Sequence, residues 1–250
     1  GLFQSKGNNY LNVFKPKLLV KVSPNHSRNI SNNTTTLNYS NLFNLNKVNT
    51  IDEIDTGSSI SFGFDFKKNI VDSNNEIKNE KFKFSLGQIL SAKENRDMPS
   101  KSTLNEKLSD VIGEASFSLN ENLKISNNFL LDQNLKEFNK NKVDLDLIYP
   151  KTTFNVGYLE ESEHIGNQKY IQSKASFNFE SGIISFNAKR NLLSNSAEFY
   201  DLSYQYINDC LKAGVAFRRE FYKDKDLEPE DSLIFKVTFS PLGTVTTPSN

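Results

Sequence analysis

The sequence contains one cysteine, two histidines, one methionine and no tryptophan. A lone cysteine cannot form an internal disulfide, so no cystine framework holds the chain together. The histidines, His26 and His164, fall in predicted loops with no cysteine or second histidine at ligand spacing, and neither reads as a metal site. An excess of one charge is missing too: 30 Lys+Arg balance 30 Asp+Glu, which removes the electrostatic footprint of a nucleic-acid binder. No apolar run approaches the ~18 residues of a membrane-spanning helix. No glycine-rich phosphate loop appears and Cys210 has no histidine base beside it, so an enzyme reading finds little support and no cofactor is implied. The chain opens GLFQSKGNNY, without an initiator methionine, a basic n-region or an apolar h-segment, as expected of a mature chain or of one cut from something longer.

What is present is alternation. The 250 residues include 20 Phe and 9 Tyr, too many rings for a chain that stays disordered. Ile60, Phe62, Phe64 and Phe66 alternate with Ser59, Ser61, Gly63 and Asp65. Val143, Leu145, Leu147 and Tyr149 alternate with Asp144 and Asp146. The same period of two runs through Ala175–Phe179, Leu202–Tyr206 and Leu233–Phe239. Successive side chains of a strand point to opposite faces, so each segment is a ribbon with one oily and one polar side. Weaker ribbons near 10–22, 81–91, 111–119, 123–131, 152–159, 183–190 and 211–222 bring the expectation to about twelve strands and no convincing helix. The fold class is all-β.

Connections alternate in length. Short turns are expected at 120–122, 149–151, 180–182 and 208–209, and longer polar connections near 23–56, 92–110, 132–142, 160–169, 191–198 and 223–231. The 71–81 link is the exception, long for its side. An antiparallel meander with two unlike ends matches an outer-membrane barrel, with short periplasmic turns and long outer loops. Tyr149, Phe179, Tyr206 and Phe239 are the last oily residues before the short-turn end, the level of an interfacial girdle. Ten residues at ~3.3 Å, tilted by about 45°, span roughly 23 Å, close to the apolar band of such barrels. A soluble β-sandwich also shows alternating ribbons, with its oily sides facing each other, and periodicity alone leaves both architectures open.

Several motifs go further. Leu42, Phe43, Asn46, Lys47, Asp52, Glu53, Ile54 and Gly57 precede an aromatic-rich strand; then come Leu86-Gly87-Gln88, Met98-Pro99 with Ser102 and Leu104, Ser109 to Gly113, and Leu131-Asp132. The segments 203–222 and 231–243 add a tyrosine-rich strand, an Asp-Cys turn, an arginine-bearing strand and a last strand ending near Leu-Gly. In this order, over residues 39–243, they resemble the C-terminal half of the LptD family, the lipopolysaccharide (LPS) assembly proteins of the outer membrane.

The resemblance implies a transmembrane barrel of about 26 strands behind a periplasmic jelly roll. About twelve strands make residues 1–250 the C-terminal portion of that barrel, an open half-barrel that lacks the jelly roll and the first barrel strands. Sheet edges are not tolerated in hydrocarbon, so edges are expected near 10–22 and 232–240, to be paired in the whole protein. The edge carrying Leu233, Phe235, Val237 and Phe239 would close against the first barrel strand and form the lateral gate. Pro241 just beyond it, with Pro248 further on, suits a short closing ladder or ordinary strand termination.

The resemblance also names a substrate, LPS, and partners: a plug lipoprotein (LptE-like), a periplasmic bridge protein (LptA-like) and outer-membrane lipid. A polar lumen would suit phosphorylated sugars. Candidate lumen residues are Lys83, Lys124, Asp144 and Asp146, with Lys174, Lys212, Arg218 and Lys236; the alternative is that they only hydrate the interior and pair with one another. Glu160, Glu161 and Glu163 crowd one outer loop, as a solvated tip or as ligands of a divalent cation bridging LPS phosphates. The family often carries two adjacent cysteines at the closing turn, paired with cysteines of the N-terminal domain. Here only Cys210 is present, so at most one such disulfide could form. A porin-like channel remains the alternative within the barrel class.

Overall fold

A computed structural model describes residues 2–7, 9–24, 28–48, 50, 52–72, 76–208, 210–221, 230–239 and 243–246, the side chains of 239 and 243–246 excepted. His26, Pro241, Pro248 and the Phe239 side chain therefore lie outside the described residues. The described residues form fourteen strands and no helix: β1 (Phe3–Lys6), β2 (Tyr10–Lys21), β3 (Ser59–Val71), β4 (Ile77–Ser91), β5 (Val111–Ser118), β6 (Leu123–Leu131), β7 (Phe138–Tyr149), β8 (Thr152–Glu161), β9 (Gln168–Phe179), β10 (Gly182–Asn191), β11 (Ser196–Ile207), β12 (Leu211–Glu220), β13 (Asp231–Phe239) and β14 (Gly243–Thr246). They make one sheet in sequence order, each strand hydrogen-bonded to its chain neighbours.

Three expectations are corrected. The strands number fourteen, because the four-residue ribbons β1 and β14 are too short to show a period. They also displace the expected edges: β2 pairs with β1 through Phe3↔Phe14 to Lys6↔Leu11, and β13 pairs with β14 through Lys236↔Thr246 to Phe239↔Gly243. The connections expected at 132–142, 160–169 and 191–198 shrink to 132–137, 162–167 and 192–195, because the ladders of the flanking strands continue through their polar residues.

The chain divides into two compact units, Gly1–Val143 with Glu160–Asn167, and Asp144–Leu159 with Gln168–Asn250. In the first unit the alternation separates a buried polar face from an exposed apolar one. Ser61 and Ser85 are fully buried, whereas Ile60, Phe62 and Leu90 are exposed. The exposed face carries a chain of rings, with Phe14–Phe64 at 5.4 Å, Phe64–Phe84 at 6.0 Å and Phe66–Phe82 at 6.1 Å between centroids. The serine face is covered by the described residues of the connections at 22–58 and 92–110. Ile30, Leu37, Tyr39, Leu42 and Val48 of the first, and Met98 and Leu104 of the second, form one core with Ile89, Ile112 and Leu130 of the strands and Ile165. Pro16 sits in β2 beyond the last residue paired with β1, where a missing N–H leaves no ladder bond unmade.

The second unit shows the same separation through its register. Ala175, Phe186, Leu202, Phe217 and Leu233 form one cross-strand row from β9 to β13, and Phe177, Ile184, Tyr204, Val215 and Phe235 form the next row on that face. Phe186, Leu202, Tyr204, Phe217, Leu233 and Phe235 are all exposed. Phe179 and Tyr206 both pair with Gly182, so these two girdle candidates stand level.

Candidate functional site

The polar face of the first unit is built from ion pairs set into serine-rich ribbons. Lys17 of β2 pairs with Asp65 of β3 at 2.8 Å, and the rings of Tyr39 and Phe43 lie 4.8 and 5.1 Å from its ammonium. The Tyr39 hydroxyl donates to the Phe64 carbonyl at 3.0 Å; burial, then the neighbouring Asp65, push its pKa up. Lys83 of β4 makes a short ion pair with Glu114 of β5, and Lys67 pairs with Glu80 at 2.7 Å. Lys124 is exposed on β6, on the same face as Lys83 by register. Of the sequence candidates in this unit, Lys83 is held by a carboxylate.

The family-like motifs turn out to be the joints of the covering connections. Asp55 accepts from the Lys47 N–H at 3.0 Å, and its carboxylate lies 2.8 Å from the Lys21 ammonium and 3.7 Å from that of Lys47. Lys47 is 0% exposed, and burial pulls its pKa down. Asn46 clips the same turn, accepting from the Asp55 N–H at 3.1 Å and donating to the Glu53 carbonyl at 3.0 Å. Gly57, at φ 99°, makes the bend into β3 that other residues rarely adopt. Ser102 donates to the Pro99 carbonyl at 3.0 Å and closes the Met98–Leu104 turn. Ser109 accepts from the Ile89 N–H at 2.9 Å and donates to the Asp110 carbonyl at 2.8 Å, while Gln88 donates to the Ser109 carbonyl at 2.8 Å.

Asp110 then gathers two further segments. Asn139 of β7 donates to its carboxylate at 3.0 Å, and His164 Nε2 of the 162–167 connection lies 3.0 Å away. That carboxylate raises the His164 pKa. Glu161 is engaged by Lys140 at 2.8 Å, and Glu163 occupies a left-handed conformation at φ 53°.

In the second unit, Lys174, Asn187, Asp201, Arg218 and Ser232 form one row across β9–β13. Gln172 donates to Asn187 at 2.9 Å and Asn187 to Asp201 at 3.3 Å; Arg218 Nε lies 3.4 Å from Asp201 and 2.7 Å from Glu220. The Arg218 guanidinium also covers the Phe199 ring at 4.7 Å. Register places Lys212 and Lys236 on that face as well, so Lys174, Lys212, Arg218 and Lys236 share one surface opposite the phenylalanine rows. Asp146 accepts from Asn155 at 2.7 Å, and Asp144 lies against Gly157, which has no Cβ to meet it.

Sequence reasoning missed Asp201, Asn187 and the Lys17–Asp65 pair. The available signal was Asp65 itself, a carboxylate within the ribbon SISFGFDF that needs a cation on a neighbouring strand.

Leu233, Phe235 and Val237 of β13 face Phe217, Val215 and Ala213 of β12. On its other side, the ladder to β14 covers Lys236–Phe239, and none extends over Asp231–Phe235 among the described residues. Cys210 lies in the β11–β12 turn with an exposed thiol, its N–H donating to Asn208 at 3.2 Å.

No curated protein matches the chain. A family model does: LptD, LPS transport system D, over residues 2–209.

Proposed function

Because this chain belongs to the LptD family of LPS transport proteins, we propose that it forms the C-terminal part of an outer-membrane barrel that carries LPS to the outer leaflet. The family is one of transport and assembly, and no bond-making step is asked of these residues. The observation carrying this reading is the polarity of the sheet: in both units phenylalanine and leucine rows lie exposed on one face, and lysine– or arginine–carboxylate pairs lie on the other. A barrel in lipid needs that arrangement, with apolar residues outward and polar ones toward the lumen.

The polar face supplies groups for a phosphorylated, hydroxyl-rich headgroup. Lys174, Lys212, Arg218 and Lys236 offer charge-assisted donors to phosphate, and Asn187 and Gln172 suit sugar hydroxyls. Lys83, Lys124, Asp144 and Asp146 complete the candidate lumen. Acyl chains would leave through a seam at β13, lined by Leu233, Phe235, Val237 and Phe239. Among the described residues β14 takes Lys236–Phe239, which leaves Asp231–Phe235 for a partner strand and so a short ladder, easier to open. Cys210 is exposed in a short turn, where a cysteine outside these residues can reach it. A plug lipoprotein and a periplasmic bridge protein would complete the assembly.

Depletion of the full-length protein in its own cells tests the reading. LPS should disappear from the cell surface while other barrels stay inserted. Surface LPS that persists at its normal level would favour the porin-like alternative.

A further inference from the structure

The two faces of the first unit treat a positive charge differently. On the serine face, Lys17, Lys67 and Lys83 each meet a carboxylate. On the phenylalanine face, near the short-turn end, Lys68 and Lys81 meet rings instead. Lys68 Nζ lies 4.3 Å from the centre of Tyr10. Lys81 Nζ lies 4.9 Å from the centre of Phe117 and donates to the Leu119 carbonyl at 2.9 Å. Among the described residues, neither ammonium has a carboxylate at ion-pair distance.

Register fixes the level of Lys68, and Lys81 stands beside that row at the irregularity that skips it between Glu80 and Phe82. Asn12, Lys68, Phe82 and Phe117 form one row across β2–β5, and the next row toward mid-sheet is Phe14, Phe66, Phe84 and Ala115. The face thus passes within one pleat from an uncharged row of three rings and an alanine to a level where ammonium groups lie against rings. On a lipid-facing surface this change marks the boundary between hydrocarbon and headgroups, since rings favour the boundary and lysine extends its charge past it. A ring face holds an ammonium in place but leaves its charge uncancelled and some of its N–H donors free.

We propose that Lys68 and Lys81 bind the phosphodiesters of anionic glycerophospholipids in the periplasmic leaflet. The inference rests on the barrel reading given under the proposed function, with the short-turn end taken as the periplasmic end as in outer-membrane barrels. Lys68 on β3 and the Phe117 ring on β5 are two strand spacings apart, roughly 10 Å, which accommodates two phosphates. A zwitterionic headgroup brings its own ammonium to each phosphate and gains less from these lysines; an anionic lipid has no such competitor.

Native mass spectrometry of the folded full-length protein, with phosphatidylglycerol or phosphatidylethanolamine added, tests this. The Lys68→Gln/Lys81→Gln variant should retain several-fold less phosphatidylglycerol than the parent. The Lys68→Arg/Lys81→Arg variant should restore it, Lys136→Gln in the 132–137 connection should change nothing, and phosphatidylethanolamine binding should be the same throughout. Unchanged phosphatidylglycerol retention in the glutamine variant overturns the site; so does an equal loss of both lipids, or no rescue by arginine. If the glutamine variant does not insert, photoactivatable phosphatidylglycerol on the parent protein decides: label on the peptides of Lys68 and Lys81 supports the site, and label elsewhere overturns it. Release of the parent protein from membranes by carbonate would instead refute the barrel reading itself.

Discussion

Leu42 of the 22–58 connection sits on Gly87 of β4: a Cβ built on that glycine would collide with Leu42 Cδ2 and would lie 2.9 Å from the Phe62 carbonyl oxygen. Gly63, the ladder partner of Gly87, is approached by Phe43 in the same way, with 3.1 Å between the ring and a built Cβ. Two facing glycines thus make a socket on the serine face, and consecutive apolar residues of the connection fill it.

Gly87→Val should therefore lift the connection off the sheet. Overpacking of this kind costs about 1–3 kcal/mol. Limited proteolysis of the folded full-length protein should show faster cleavage within 22–58. Leu42→Ala should relieve part of the clash, so the double variant should be more stable than the sum of the single effects implies.

Asp55 serves two lysines, one of them fully buried. Asp55→Asn leaves both without a counter-charge, and loss of one partner of a buried pair costs about 3–5 kcal/mol. Lys47→Met removes the buried charge instead and leaves Asp55 with Lys21, so it should cost much less. Thermal unfolding of both variants in detergent should rank them in that order.

The His164–Asp110 contact should act as an acid-side latch. Asp110 raises the His164 pKa above its ordinary 6.5, and Glu106 and Asp132 add to the effect, with Asn139 as the neutral partner of the same carboxylate. The folded state binds this proton more tightly, so the stabilisation is complete below about 6.5 and is lost as pH rises through the folded-state value. Amide exchange at Ile165, buried beside it, should accelerate with pH beyond the intrinsic chemical rate. His164→Gln should remove that extra dependence.

Cys210 should resist alkylation in the denatured, unreduced full-length protein and become reactive after reduction. Quantitative alkylation without reductant would show a free thiol.

Legibility in the sequence followed repetition. Twelve strands were readable because ribbons such as Ile60–Phe66 and Leu233–Phe239 repeat the period often enough to exclude a helix. Phe3–Lys6 and Gly243–Thr246 offer too few alternations, so the period does not reveal these two strands. The polar connection at 22–58 concealed its role for another reason: Ile30, Leu37, Leu42 and Val48 follow no period, and only the tertiary fold shows that they converge on Ile89. On the polar face, Lys174 and Arg218 were identifiable as partners of an oily stripe. That they share a row with Asp201 depends on register, which the turns and the Lys189/Arg190 irregularity set.

The central claim is that the phenylalanine rows contact lipid and the charged rows contact water. Spin labels placed one at a time along β10–β12 of the full-length protein in outer-membrane lipid test it most directly. Positions 186, 202 and 217 should be relaxed by oxygen, and positions 187, 201 and 218 by a water-soluble metal complex, alternating with a period of two. Equal access of the aqueous reagent to both sets would contradict the account.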